Sequence, residues 1–310
     1  MDIPDDIPAV LWKTPRFFSQ SWLCGRNKPS AACTIISLLM AENMYRQQVL
    51  LPTVKENAKM VHVDVHETGG TTSFECPKRL LNALSNAIID GNNIYERTHK
   101  THSQNKHTFT IPEAIRATNG IWREVTFSRG NGPFNVNVAS YLERAINSPL
   151  TTQLDQMFFL ILLFERCVLV VYQRCNHTIG IIDSHTHFER GSLIACTSAD
   201  KLAEFGTLLA RTFFPESCVI PDSIQEFEVS LIQFTGPMHP TDCQQQPQPL
   251  ILVDDKKSQI FPPAVKMKKH KTAVAPYTVA RETLNIHYHV IREVLSPTLI
   301  VPDMSSTDLE

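Results

Sequence analysis

Residues 158–187 read FFLILLFERCVLVVYQRCNHTIGIIDSHTH, and the fold is decided in this stretch. It holds three short apolar runs rich in Val, Ile and Phe: Phe158 to Phe164, Cys167 to Gln173, and Thr178 to Asp183. Only Glu165-Arg166 and Arg174-Cys175-Asn176-His177 separate them, connections of the length that joins neighbouring antiparallel strands. The third run ends in Asp183-Ser184-His185, where the two-residue period of a strand sends an acid and an imidazole to the same side.

Working outward from these strands, Ser192 to Cys196 forms a fourth run. It leads into a helix over Ser198 to Phe213 with Leu202, Phe205, Leu208 and Leu209 on one face, and Phe227 to Phe234 closes with another strand. Upstream, Ser30 is placed to cap a helix that starts at Ala31 and runs through Ile35, Ile36, Leu38, Leu39 and Met40 to Arg46-Gln47-Gln48. That helix is apolar on most sides, which predicts a central position. Val61, Val63 and Val65 alternate with His62, Asp64 and His66 as in a half-buried strand, and Lys78 to Ile89 reads as a helix. Asn92 to Lys106 is polar and unpatterned, the composition of a loop. Thr110, Pro112 and Glu113 open a short helix, and Val136 to Asn147 has the pattern of another. The opening stretch to Pro29 is irregular, with Trp12, Phe17, Phe18 and Trp22 as anchors. Helices followed by an antiparallel sheet make an α+β order.

At 310 residues and 43% hydrophobic, the chain is long and apolar enough for a full core. Its 29 Lys+Arg against 31 Asp+Glu leave no global field toward nucleic acid or an anionic membrane, so neither is expected as a specific partner. The most apolar run, Met157 to Phe164, is cut by Glu165 and Arg166 well short of the roughly 20 residues of a membrane helix. Met1 to Val10 has neither the basic start nor the apolar stretch of a secretory signal, which predicts a cytoplasmic or nuclear protein. The 8 cysteines stand singly at 24, 33, 76, 167, 175, 196, 218 and 243, a usage that fits reduced thiols. Composition shifts at Gly236. This divides the chain into a domain over 1–236 and a tail over 237–310. The tail carries Gln244 to Pro249, the basic cluster Lys266 to Lys271, and the pattern of an isolated helix over 279–294. A spacer and a solvated charge run are the simplest readings of the first two.

Three elements suggest chemistry. Cys33 falls in the first turn of the apolar helix, where unpaired N–H groups and the helix dipole favour a thiolate; the competing reading is a small core residue. His185 would be its base and Asp183 the carboxylate that orients the imidazole, against a reading of Asp-Ser-His as an ordinary turn. Gln20, thirteen residues before Cys33, is placed to donate to an oxyanion, against a reading as a surface glutamine. Cys24 is the rival nucleophile, but no helix start stands beside it. This constellation calls for no metal and no cofactor.

In order and spacing, Gln20, Cys33 at the head of a central helix, and paired strands running into Asp183-Ser184-His185 resemble the deubiquitinating domain of the herpesvirus large tegument protein and its cellular relatives. The likeness continues through Gly191 to Ala195 and Ser198 to Phe205 and spans residues 12 to 235. Where typical members have Gly and Gln before the nucleophile, this chain has Pro29-Ser30-Ala31-Ala32. The resemblance implies a papain-like cysteine peptidase fold, with Cys33 as nucleophile, His185 as base, Asp183 as orienting acid and Gln20 as oxyanion donor. The implied activity is cleavage after the C-terminal glycine of ubiquitin or a ubiquitin-like protein.

Two other readings compete. In one, the fold is kept without the chemistry, as a module that binds ubiquitin or a regulatory partner. In the other, Asp183-Ser184-His185-Thr186-His187 is the Asp-x-His-x-His start of a metal-dependent amidohydrolase. Such a barrel needs roughly 200 residues, mostly after the motif, whereas 127 follow Asp183 here. His62 with His66, and His287 with His289, read as surface residues.

Overall fold

The continuous apolar character of each run within 158–183 has a physical cause: this sheet is covered on both faces, so neither parity of a strand meets water. Phe159, Ile161, Leu163, Val168, Val170, Tyr172, Ile179 and Ile181 enter one core, while Phe158, Leu160, Cys167, Leu169, Val171 and Ile182 enter another. The computed structural model describes residues 7–54, 59–65, 75–101, 108–222 and 225–236. The expected tail, with its Pro/Gln stretch, basic cluster, helix and Cys243, lies outside the described residues.

In chain order the elements are β1 (Ala9–Pro15), α1 (Cys33–Arg46), β2 (Val61–Asp64), α2 (Lys78–Thr101), α3 (Ile111–Ala117), β3 (Trp122–Asn131), α4 (Phe134–Asn147), β4 (Gln156–Leu163), β5 (Arg166–Gln173), β6 (Thr178–Asp183), β7 (Arg190–Ser198), α5 (Leu202–Leu208) and β8 (Glu226–Phe234). The eight strands form one mixed sheet in the order β2-β1-β7-β6-β5-β4-β8-β3. All neighbours are antiparallel except the β1–β2 pair. Side chains of α4 and α5 fill the core on one face, and those of α1, α2 and α3 fill it on the other. The α+β class and the four runs between 156 and 198 are as the pattern predicts.

Four expectations are corrected and one strand is added. The irregular opening contains β1, which pairs with both β2 and β7. Ala9 to Trp12 are all buried, so the strand shows no alternation by which to recognise it. A second strand, β3, lies at the sheet edge, and its Arg123, Glu124, Ser128 and Arg129 hide any strand pattern. The expected loop over 92–106 is helical as far as Thr101, and residues 102–107 lie outside the described residues. Tertiary partners hold that extension, with the Tyr95 ring 5.6 Å from Phe109 and Asn92 buried. Finally, Ser30 does not cap α1. The helix starts at Cys33 with Ala32 at its head and no side-chain cap, and Ser30 Oγ accepts from Ala32 N at 3.2 Å instead. The expected helix over 198–213 is broken into a 3-10 turn, α5 and a π-helical turn over Leu209–Phe213.

The end of the sheet where β1 finishes and β7 begins is tightly closed. Ser192 N donates to Phe18 O at 2.8 Å, and Thr14 Oγ1 lies 3.0 Å from Phe18 O and 2.9 Å from Ser192 O. A Cβ on Gly191 would lie 2.2 Å from Pro15 O and 2.5 Å from Phe18 O, both backbone atoms with little room to retreat. Gly191→Ala is therefore expected to destabilise the fold by about 2–3 kcal/mol in urea unfolding, through overpacking at this corner.

Candidate active site

The candidate residues meet at that same sheet end. The strand β6 stops at Asp183, the β4–β5 turn passes through Glu165, the chain leaves β1 through Gln20, and α1 begins at Cys33 against the same corner. Cys33 is the first residue of α1 and is 1% exposed, so it sits at the uncapped start of the helix, where backbone N–H groups lack helical partners. The Cys33 Sγ is 3.9 Å from Glu165 O. Phe164 and Glu165 take φ of +52° and +58°, the left-handed pair that a two-residue hairpin turn requires, without a glycine to relieve it.

Asp183 is 1% exposed, and His185 stands over it. Asp183 Oδ1 accepts from His185 N at 2.9 Å and from His185 Nδ1 at 2.5 Å. With Nδ1 committed to the carboxylate, Nε2 is the nitrogen left to face the sulfur, and the ring lies near enough to Cys33 for each group to influence the other's charge. Thus the structure gathers Cys33, His185 and Asp183 at one corner from residues 150 positions apart in sequence, with His185 hydrogen-bonded to Asp183.

Charge follows from that line. Burial by itself pushes the Cys33 thiol up, but the hydrogen bond and charge of His185, aided by a backbone bond from Cys167, outweigh it and hold the thiol below its ordinary value. Burial likewise lowers His185, yet the charge and hydrogen bond of Asp183, with the contact to Cys33, raise the imidazole to about 10. Burial also opposes the Asp183 charge, and the two histidines more than compensate, holding the carboxyl well below the usual carboxylate range. The result favours a thiolate beside an imidazolium. By contrast, burial drives Cys167 and Cys196 well above the ordinary thiol value.

Gln20 is present at the site but is more occupied than a lone amide in a loop. Its Nε2 donates to Ser30 O at 2.7 Å, its Oε1 accepts from Ser184 Oγ at 2.8 Å, and its backbone N donates to Ser184 O at 2.8 Å. One amide thereby ties the lead-in to α1 to the strand end that carries His185. One of the two Nε2 hydrogens is thereby committed to Ser30.

Other participants were not foreseen from the sequence. Asn92 Nδ2 donates to Gln20 O at 2.9 Å, and Asn92 Oδ1 accepts from Ser30 Oγ at 2.6 Å. Nothing local in a polar segment could have singled it out. His187 donates through Nε2 to Asp183 Oδ2 at 2.8 Å. Its signal was its parity with Asp183 and His185, read above only as a metal motif. That motif is corrected here: His185 Nδ1 and His187 Nε2 both turn onto the Asp183 carboxylate rather than converge with it on an outside point. Among the described residues no cluster of three or more His, Cys, Asp or Glu is arranged to hold a metal. Cys24 is exposed in a short turn with φ of +58°.

The pH dependence has a definite sign. Because the Cys33 value is lowered and that of His185 raised to about 10, thiolate and imidazolium coexist between the two. Iodoacetamide should therefore modify Cys33 at pH 7, below the range of an ordinary thiol, while Cys167 and Cys196 stay unmodified. His185→Ala removes the two larger lowering causes and leaves burial opposed only by the Cys167 backbone bond, so Cys33 modification at pH 7 should slow roughly tenfold or more, read by peptide mass spectrometry.

No protein-family model matches the chain. No curated protein matches it either. Among solved structures, the chain is similar to the ubiquitin-specific protease encoded by a murine cytomegalovirus tegument protein, solved with a ubiquitin-based suicide substrate. The identity is 12%, with 74% of this chain and 88% of that one covered and a TM-score of 0.44, a distant likeness.

Proposed function

We propose that this protein is a cysteine hydrolase that cleaves amide or isopeptide bonds, with ubiquitin or a ubiquitin-like protein as substrate. One observation carries the reading: a buried cysteine at a helix start beside an imidazole, which is itself hydrogen-bonded to a buried carboxylate. The substrate class rests on the resemblance of the Gln20, Cys33 and Asp183-Ser184-His185 pattern to the tegument deubiquitinase domain, which makes ubiquitin the first substrate to test. The catalytic unit would be the 1–236 domain. The free state of the described cysteines suits work in a reducing compartment.

In the proposed reaction, the Cys33 thiolate attacks the carbonyl carbon. Negative charge moves to the carbonyl oxygen, where the N–H groups at the head of α1 and the remaining Gln20 hydrogen stabilise it. His185 gives its proton to the leaving amine as the C–N bond breaks and a thioester forms. It then takes a proton from water, which attacks the thioester and regenerates the thiolate. Asp183 keeps its charge throughout and steadies each imidazolium that forms.

The 1% exposure of Cys33 favours a second reading, in which the same fold binds ubiquitin without cleaving it. A ubiquitin bearing a thiol-reactive C-terminus separates the two. An enzyme forms an adduct at Cys33 that Cys33→Ala abolishes and Cys24→Ala leaves intact, whereas a binding module forms none and still retains ubiquitin in a binding assay. On a fluorogenic ubiquitin substrate, His185→Ala should lower kcat/KM by roughly 10²–10⁴ and Gln20→Ala by about 10².

A further inference from the structure

Asp183 holds one more imidazole than a cysteine and histidine pair requires. Its Oδ1 is occupied by two N–H groups of His185, while Oδ2 is taken by His187 Nε2 at 2.8 Å. Because a carboxylate only accepts, this nitrogen of His187 must carry its hydrogen. The second ring is itself held still. His187 N donates to Arg190 O at 3.0 Å, Arg190 N donates to His187 O at 2.7 Å, and the ring meets Phe213 edge-on at 6.1 Å. His187 is 8% exposed, so the bond to Asp183 is formed away from competing water.

A carboxylate anchored through one oxygen can turn about its last side-chain bond, a torsion with broad preferences. Anchored through both, its plane is set. The plane in turn sets the direction in which Oδ1 receives His185 Nδ1–H, and so the direction in which Nε2 faces the sulfur. We propose that His187 is a positioning residue, which locks the Asp183 carboxylate from the far side so that His185 stays aimed at Cys33. It touches neither the sulfur nor a reacting bond and acts only through Asp183. The role presumes the Cys33–His185 pair of the proposed function, but not the identity of the substrate.

Two substitutions separate the hydrogen bond from mere packing. His187→Phe keeps a flat ring against Phe213 and removes the donor, whereas His187→Gln keeps an N–H near the position of Nε2. At pH 7, iodoacetamide modification of Cys33 should slow roughly tenfold in His187→Phe and stay within about threefold of the parent in His187→Gln. On a fluorogenic ubiquitin substrate, kcat should follow the same order with KM unchanged. A parental modification rate in His187→Phe, or a loss in His187→Gln equal to that in His187→Phe, would overturn the proposal. Nitrogen-15 NMR of the parent protein gives a check that needs no variant to fold. His187 should carry its proton on Nε2, and a ring protonated only on Nδ1 would refute the bond. If no ubiquitin probe reacts with the parent while the modification rates behave as stated, the substrate reading fails and the role of His187 stands.

Discussion

An anion with 1% exposure is the costliest group in this domain, and the arrangement of the whole sheet end follows from how Asp183 is satisfied. Three N–H groups reach its two oxygens, and all come from residues no more than four positions further along the chain. That economy requires the chain to turn back immediately after β6. The turn is secured from outside by the Ser184–Gln20 bonds, by the His187–Arg190 bridge, and by the Gly191 corner against Pro15 and Phe18. Loss of any one donor would leave a buried charge short of partners, where low dielectric magnifies the cost.

The same charge organises the surroundings of Cys33. Cys33 sits where burial disfavours a thiolate, and its lowered value depends on an imidazolium that exists because Asp183 is negative. Carboxylate, imidazole and sulfur therefore titrate as one unit. Its geometry is carried by two scaffolds that share no local sequence: the end of β6 brings the acid and the base, and α1 brings the sulfur. Gln20, Ser30 and Asn92 join them through polar bonds, which makes α2 a support of the site although it contributes none of Cys33, His185 and Asp183.

The sheet explains why these parts hold their places. With apolar cores on both faces, the central strands have little freedom to slide, because a shift of one residue would exchange the two cores. A site built at the strand ends inherits that rigidity, while its connecting turns remain free to carry polar and strained residues such as Phe164 and Glu165.

Local sequence determined the features whose physics is local. The runs between 156 and 198 declare their strands through continuous apolar composition and short polar breaks. Thr110, Pro112 and Glu113 declare the start of α3 through a capping box, and Asp183-Ser184-His185 declares an acid and a base through strand parity. Tertiary structure alone decided the rest. A buried β1 has no alternation, an edge β3 has too many charges, and the second half of α2 is helical because Tyr95 and Asn92 find partners far away in the chain. Which groups surround the Cys33 sulfur, and that the His187 ring meets the Asp183 carboxylate, follow from contacts that only the folded chain makes. Hydrogen bonds and charge act over distances in space, and separation along the chain does not encode those distances.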